Sequence, residues 1–422
     1  MTAMLSLSQL GILRNGMNYD RQAAISGCKI IGVADFGSKV FPDYQTLQEI
    51  DASIVSDDDL LHDGDILFVR SNGNKALVGR SMFIKNIHEP VCYSGFCIML
   101  RPNCDIVLPQ YLFYALRSPF CRRQYSYSQQ TNITNLSQSV LNSVIVPVPG
   151  YAEQKKSAKI LYDIDIKIEN NNLLCSELEA MAKTLYDYWF VQFDFPDENG
   201  KPYRNSGGEM VWNEQLKREV PRGWIVQSLS HGISGVNTGL NPRDNFVLGD
   251  GDIQYITVKN LTTSGIIDFS GCDTVNETAR NIIHARSDIS IGDILFASIA
   301  PLGRCYLIQS KPQKWDINES VFSIRANADA FTPEFLYMYF MSDTFIKSAT
   351  SSSTGSIFKG IRINTLLDII TIFPPKNIID IFSKKIQKIL ALKERKAIEN
   401  QELTKLRDWL LPMLMNGQAR VK

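Results

Sequence analysis

The chain has 422 residues, 44% of them hydrophobic and 21% charged, and Lys plus Arg balances Asp plus Glu at 44 each, for a net formal charge of zero. That length exceeds the roughly 250–300 residues one hydrophobic core serves and so implies two or more domains. The composition excludes a disordered chain, and the charge balance excludes a global field drawing the molecule onto polyanions, so any nucleic-acid surface must be local. There is no run of about 18 apolar residues, and Met1 to Gly16 lacks a basic stretch ahead of an apolar one; together these predict a cytoplasmic protein with no membrane partner.

In chain order, the first patterned stretch is Ile31-Gly32-Val33-Ala34-Asp35-Phe36, followed by Gly64-Asp65-Ile66-Leu67-Phe68, Pro109-Gln110-Tyr111-Leu112-Phe113-Tyr114 and Val146-Pro147-Val148-Pro149. Short β-rich runs divided by Gly, Asn, Asp and Ser turns fill this region, with a small helix near Tyr111 to Arg117. Beyond the prolines, which suit the start of a helix rather than its interior, the texture changes. Leu161, Ile164, Ile168, Asn171, Cys175, Leu178, Ala182, Leu185 and Trp189 recur at 3-4 spacing, the signature of a coiled-coil seam, and one asparagine in such a seam fixes its register. Tyr162, Tyr186, Tyr188 and Phe190 exceed what one seam uses and point to a partner surface. Phe193 to Trp224, rich in Pro, Asn and Gly turns, reads as a linker.

The same series then returns in the same order. Ile256-Thr257-Val258-Lys259-Asn260-Leu261, Gly292-Asp293-Ile294-Leu295-Phe296, Pro333-Glu334-Phe335-Leu336-Tyr337-Met338 and Ile372-Phe373-Pro374-Pro375 match the four earlier stretches. Ile398-Glu399-Asn400-Gln401-Glu402-Leu403 matches Ile168-Glu169-Asn170-Asn171-Asn172-Leu173. A second stripe carries Phe382, Ile389, Leu392, Leu403, Leu406, Leu410 and Met413, interrupted by Lys385, Lys396 and Glu399. Neither helix can bury its stripe alone, so the two are expected to pack against one another, antiparallel, in a pseudo-two-fold molecule. A helix of about 35 residues spans about 50 Å. The predicted fold class is α+β: two β-rich domains with small helices at 1–150 and 225–375, long helices at 151–191 and 376–415 forming an antiparallel coiled coil, and a linker at 192–224. The seam is assigned to Leu161, Ile164, Ile168, Asn171, Leu178, Leu185, Leu403, Leu406 and Leu410.

No catalytic residue and no metal are expected. The chain lacks a GxxxxGK[ST] loop and any HExxH, GxSxG or kinase signature. His88, Cys92, Cys97 and Cys104 lack the paired spacing of a zinc site, and eight cysteines without a CxxC read as buried thiols.

The twice-used Gly-Asp-Ile-Leu-Phe, the Pro-ended strands leading into long helices, the Ile-Glu-Asn helix centres, the stretch Phe193-Asp194-Phe195-Pro196-Asp197-Glu198-Asn199-Gly200-Lys201-Pro202-Tyr203 and Pro221-Arg222-Gly223-Trp224 together resemble the specificity subunits of type I restriction-modification enzymes over essentially the whole chain. The resemblance implies two target-recognition domains, each reading one half of a split double-stranded DNA sequence, with the two helices setting the half-site spacing. It also implies two methyltransferase (modification) subunits that carry S-adenosylmethionine, and motor-nuclease (restriction) subunits that use ATP and Mg. No cofactor would be bound by this chain itself. The alternative is a non-catalytic two-headed adaptor for protein partners, without DNA specificity.

Base reading needs paired donors and acceptors: arginine for guanine, asparagine or glutamine for adenine. Polar turns after anchored strands are where such groups project. In the first head these are Arg70, Asn72, Asn74, Lys75, Gln129, Gln130, Thr131 and Asn132; in the second, Lys259, Asn260, Arg304, Ser353, Thr354, Lys359 and Arg362. Turns favour the same residue types for their own hydrogen bonding, so each is equally open to a purely local role.

Overall fold

The structure, a computed structural model, describes residues 2–19, 27–37, 39–74, 77–126, 135–351 and 360–419. The chain divides into two compact units: Met1–Asn170 with Asn400–Lys422, and Asn171–Glu399.

The first unit holds strands β1 (Ala3–Ser6), β2 (Gly11–Asn15), β3 (Gly27–Ile31), β4 (Gln48–Asp51), β5 (Ile66–Val69), β6 (Ser81–Phe83), β7 (Val91–Tyr93), β8 (Cys97–Pro102) and β9 (Ile145–Val148). Its helices are α1 (Leu7–Leu10), α2 (Pro109–Arg117), α3 (Pro119–Ser126), α4 (Gln138–Asn142) and the first part of α5 (Tyr151–Tyr186). β2-β8-β5-β6 form an antiparallel sheet, β4-β3-β7 a mixed one in which β3 and β7 run parallel, and β1 pairs with β9.

The second unit holds β10 (Met210–Asn213), β11 (Arg218–Pro221), β12 (Ile225–Ser228), β13 (Ile233–Thr238), β14 (Ile253–Ile256), β15 (Asp273–Val275), β16 (Ile294–Ala297), β17 (Cys305–Leu307), β18 (Trp315–Ile317), β19 (Val321–Ala326) and β20 (Ile370–Phe373). Its helices are α6 (Glu277–Ser287), α7 (Pro333–Met341), α8 (Asp343–Ser351), α9 (Ile363–Leu367) and most of α10 (Lys376–Met415). The sheets β13-β19-β16-β17, β15-β14-β18 and β12-β20 repeat the first unit strand for strand. The repeat therefore begins earlier than the sequence stretches quoted above. Ser6-Leu7-Ser8 matches Ser228-Leu229-Ser230, and Leu7 N–H donates to Val144 O as Leu229 N–H does to Ile369 O, each at 2.8 Å.

The repeated Gly-Asp-Ile-Leu-Phe follows from this architecture. β5 and β16 are buried on both faces. Ile66 and Phe68 enter the core shared with α2, while Leu67 and Val69 enter the core shared with β7. Ile294 and Phe296, against Leu295 and Ala297, divide the same way. A strand covered on both sides reads as a continuous apolar run rather than an alternating one. The glycines Gly64 and Gly292 turn at φ +96 and +89, in the left-handed region, against Pro109 and Pro333 at the start of α2 and α7. The aspartates are buried and paired: Asp65 accepts from Arg101 Nε and Nη2 at 2.9 and 2.8 Å, and Asp293 from Arg325 Nε and Nη2 at 2.7 and 2.8 Å.

Within each unit the two long helices run antiparallel. In the first, Asn400 Nδ2 donates to Ile168 O at 3.3 Å and Arg407 Nη1 to Asp165 at 2.8 Å. In the second, Lys393 Nζ donates to Glu179 at 3.0 Å, and the Phe382 ring meets Tyr186, Trp189 and Phe190. Leu161, Ile164 and Asn171 are buried, and Ile168, Leu178, Leu185, Leu403 and Leu410 half-buried. Leu406 corrects the predicted seam: it is 44% exposed, because the inward position one residue on, about 100° around the helix, belongs to Arg407. A stripe chosen by apolarity passes over a cation that Asp165 neutralises. The inward face of α10 in the second unit is likewise Ile379, Phe382, Ile386, Leu390 and Lys393.

Two further expectations change. Tyr186 and Phe190 are buried in the chain's own core, and Tyr162 packs edge-on against Phe41 and Phe83, so this aromatic surplus serves the heads rather than a partner. A π-helical turn, Asp187–Val191, brings Trp189 and Phe190 inward together. Residues 192–224 are not slack chain: β10 pairs with β11, and Phe193, Phe195, Val220 and Trp224 are buried in the second unit's core.

Candidate nucleic-acid interface

Each central strand has a fixed end and an open end. The start of β5 faces the helices, where Gly64 lies on Pro109 and Lys85, just past β6, donates to Glu169 at 2.6 Å. In the second unit the corresponding contacts are Gly292 on Pro333 and Gln309 to Leu390 O at 3.4 Å. The other end of each strand opens into turns stitched together by backbone hydrogen bonds. In the first head Ser94 N–H donates to Ile31 O at 3.0 Å, Arg70 N–H to Phe96 O at 2.8 Å and Leu136 N–H to Arg70 O at 2.7 Å. In the second, Asn318 N–H donates to Ile256 O at 2.8 Å, Ser298 N–H to Ser320 O at 3.0 Å and Ile361 N–H to Ser298 O at 2.8 Å. A close approach completes each edge: a Cβ on Gly16 would lie 2.2 Å from Ser94 O, and one on Gly239 1.7 Å from Ile317 O.

These edges gather the predicted residues that the structure describes. Arg70 is half-buried, with Nη1 3.3 Å from Gly95 O, and Asn72 accepts Asn74 N–H at 2.8 Å, leaving both side chains at the rim. Arg362 is exposed beside the Ile361–Ser298 bond. Arg304 is half-buried, and its Nε is buried without a hydrogen-bond partner. Lys259 is exposed, 3.7 Å from Asp273. Asn260 is a correction: only 3% exposed, it accepts from Thr257 N–H and donates to Asp268 O, both within its own turn, so it has no edge to offer a base. Lys75, Gln129, Gln130, Thr131, Asn132, Ser353, Thr354 and Lys359 lie outside the described residues.

Sequence reasoning missed the turn between β7 and β8, Ser94-Gly95-Phe96, and its counterpart Asn318-Glu319-Ser320. Phe96 is a single apolar residue in a polar turn, and the one signal available was its place 26 residues after the arginine it supports. Burial pushes the Cys97 thiol up to about 12 and raises Cys92 as well, so both are neutral thiols at pH 7. Among the described residues, no group of three or more His, Cys, Asp or Glu is placed to hold a metal, and no helix is long and apolar enough to cross a membrane.

Comparison with known proteins follows the same division into two heads. The model of the type I restriction modification DNA specificity domain matches twice, at residues 44–180 and 232–407, over two thirds of the chain. The chain belongs to this family. Among its relatives, the type I restriction enzyme HindI specificity subunit of Haemophilus influenzae is 26% identical over 409 residues, covering 84% of this chain and 86% of that one. The MjaIX specificity subunit of Methanocaldococcus jannaschii is 26% identical over 324 residues, covering 75% and 71%. The crystal structure of the type I restriction-modification S subunit from M. genitalium shares the fold, with a TM-score of 0.57 at 14% identity over 98% of this chain and 96% of that one. Both matched stretches of the family model take in a central strand, its turns and part of a long helix.

Proposed function

We propose that this chain is the DNA specificity subunit of a type I restriction-modification complex, in which residues 1–150 read one half of a bipartite double-stranded target and residues 225–375 read the other. The observation that carries the reading is the duplicated open edge: one scaffold of backbone bonds, built twice, presents different polar side chains at equivalent places. Phosphate contacts position a protein on DNA, whereas base-edge contacts specify sequence, and a neutral chain suits the second task better than the first.

On this reading the helices 151–191 and 376–415 set the half-site spacing and dock two methyltransferase subunits, which bring S-adenosylmethionine. Motor-nuclease subunits bring ATP and Mg. The chain contributes recognition and no reacting group, and the complex works on DNA in the cytoplasm.

The test is an exchange of residues 1–150 for the matching head of a relative, followed by mapping of modified bases in the host genome. One half of the recognised sequence should change and the other stay. Change in both halves, or modification without any bipartite sequence, refutes the two-reader assignment, and the latter favours an adaptor for protein partners.

A further inference from the structure

Phe96 is 58% exposed, and among the exposed aromatic residues, which also include Phe120, Tyr151, Trp212 and Trp409, it is the one set in the turn that supports Arg70 at the open edge of the first head. It is held there by its backbone. The Phe96 carbonyl accepts Arg70 N–H at 2.8 Å and Ser71 N–H at 3.3 Å, Cys97 N–H closes the turn on Ser94 O at 2.8 Å, and Gly95 N–H is tied to Met17 O at 2.7 Å. Arg70 Nη1 reaches back to Gly95 O at 3.3 Å, so ring and guanidinium rise from one clamped turn. The second head places Ser320 at the position of Phe96, through the matching bond to Ser298 N–H, and presents no ring there. The ring is thus dispensable to the scaffold.

An exposed phenyl group beside the Arg70 guanidinium suits a polar ligand that carries an apolar group of its own. The major groove offers one at base level, the 5-methyl group of thymine, and Phe is among the side chains that meet it. Wedging between base steps, the other use of an apolar side chain on DNA, belongs to minor-groove proteins that kink the duplex. The neighbours of Phe96 carry the donors and acceptors of major-groove reading instead. We infer that Phe96 is a specificity-determining residue of the first head, packing on a thymine methyl in the base pair next to the one Arg70 meets; this rests on the DNA-reading role proposed above.

The test uses the full-length chain assembled with its methyltransferase subunits and the target mapped from the host genome. Thymines of the half-site read by residues 1–150 are replaced one at a time by uracil, which removes only the methyl group. Wild-type protein should lose about fourfold in affinity at one of these positions, the equivalent of the roughly 0.8 kcal/mol of one buried methyl or methylene group. F96A should bind thymine and uracil duplexes equally, while F96L, which keeps an apolar contact, should retain most of the preference. Every substitution in the other half-site should be indifferent to Phe96.

A half-site without thymine, an absence of thymine preference in the wild type, or an unchanged preference in F96A overturns the assignment while leaving the two-reader function standing. A wild-type complex that selects no bipartite sequence overturns that function, and the role of Phe96 with it.

Discussion

Arg407 and Asp165 give the sharpest test of how the long helices are held in the first unit. The Asp165 side chain is 1% exposed and has two partners, Arg407 Nη1 at 2.8 Å and Tyr114 Oη at 2.7 Å. Arg407→Met leaves that carboxylate buried with a single hydroxyl donor, and removing one member of a buried pair costs about 3–5 kcal/mol. The double variant Asp165→Leu/Arg407→Met removes both members of the pair, and the desolvated Arg117 guanidinium, which Asp165 also supports, keeps its contacts with Ser81 O and the Phe113 ring. What this variant strands is the Tyr114 hydroxyl, a loss of about 1–3 kcal/mol. The double variant should therefore be the more stable of the two, the reverse of additive behaviour.

Amide exchange reads this locally. Peptides from Asn400 to Met415 report the first unit, and peptides from Lys376 to Glu399 serve as a reference in the same molecule. At about 1.4 kcal/mol per factor of ten, protection in the first set should fall at least a hundredfold in the single variant and partly recover in the double. Equal exchange in both variants, or wild-type protection in Arg407→Met, refutes the buried pair as the tie.

Three other outcomes are expected. Burial raises the Asp316 carboxyl above its ordinary value, against the opposing bonds from Ser287, Ile317 N–H and His284. Its contribution to stability is then lost as pH rises from about 4 through its folded value, so the melting temperature of Asp316→Asn should improve relative to wild type over that interval; a constant difference refutes it. Arg304→Ala should relax discrimination at one base pair by about 1–3 kcal/mol in competition binding, whereas a uniform loss with a shallower salt dependence would move Arg304 to a phosphate. Adding one heptad to α5 and to α10, near Asn171 and Gln401, lengthens each by about 10 Å and should weaken binding while moving the preferred spacer about three base pairs longer; an optimum at the original spacing in a folded, assembled variant removes the spacing role.

How much of this was legible in the chain depends on whether a residue's neighbours are close in sequence. Gly64, Asp65 and the apolar run after them recur intact because turn, ion pair and doubly covered strand impose the same demands on both copies. The long helices were legible for the same reason, since 3-4 spacing is a local property. Arg407 was not, because its inward position makes sense only beside Asp165, 242 residues away. Nor was the earlier start of the repeat legible, since Leu7 and Leu229 are equivalent through bonds to Val144 and Ile369 rather than through a long shared motif. At the open edges the sequence pointed to the turns after β5 and β16 and passed over the turns that their backbone bonds lean on.

Asn260 and Arg304 show why an edge can be found before its reading residues. Both are polar, both lie in turns of one head, and by residue type they are equal candidates. Asn260 sits three residues after Thr257 and closes a turn with it, as Asp35 does with Gly32 in the first head at 2.7 Å, so its polarity is consumed by the scaffold in both copies. Arg304 and its counterpart Arg80 give their carbonyls to Ala297 and Val69, a shared scaffold bond that leaves their guanidinium groups free to differ. The Arg80 guanidinium turns to Gly37 O, while Arg304 keeps a buried Nε without a partner. Where the backbone carries the conserved bond, the side chain can vary between heads without loss of the fold. Recognition that must change from one target to another would belong at such positions, so Arg304 stays among the proposed readers while Asn260, held within its own turn, leaves them.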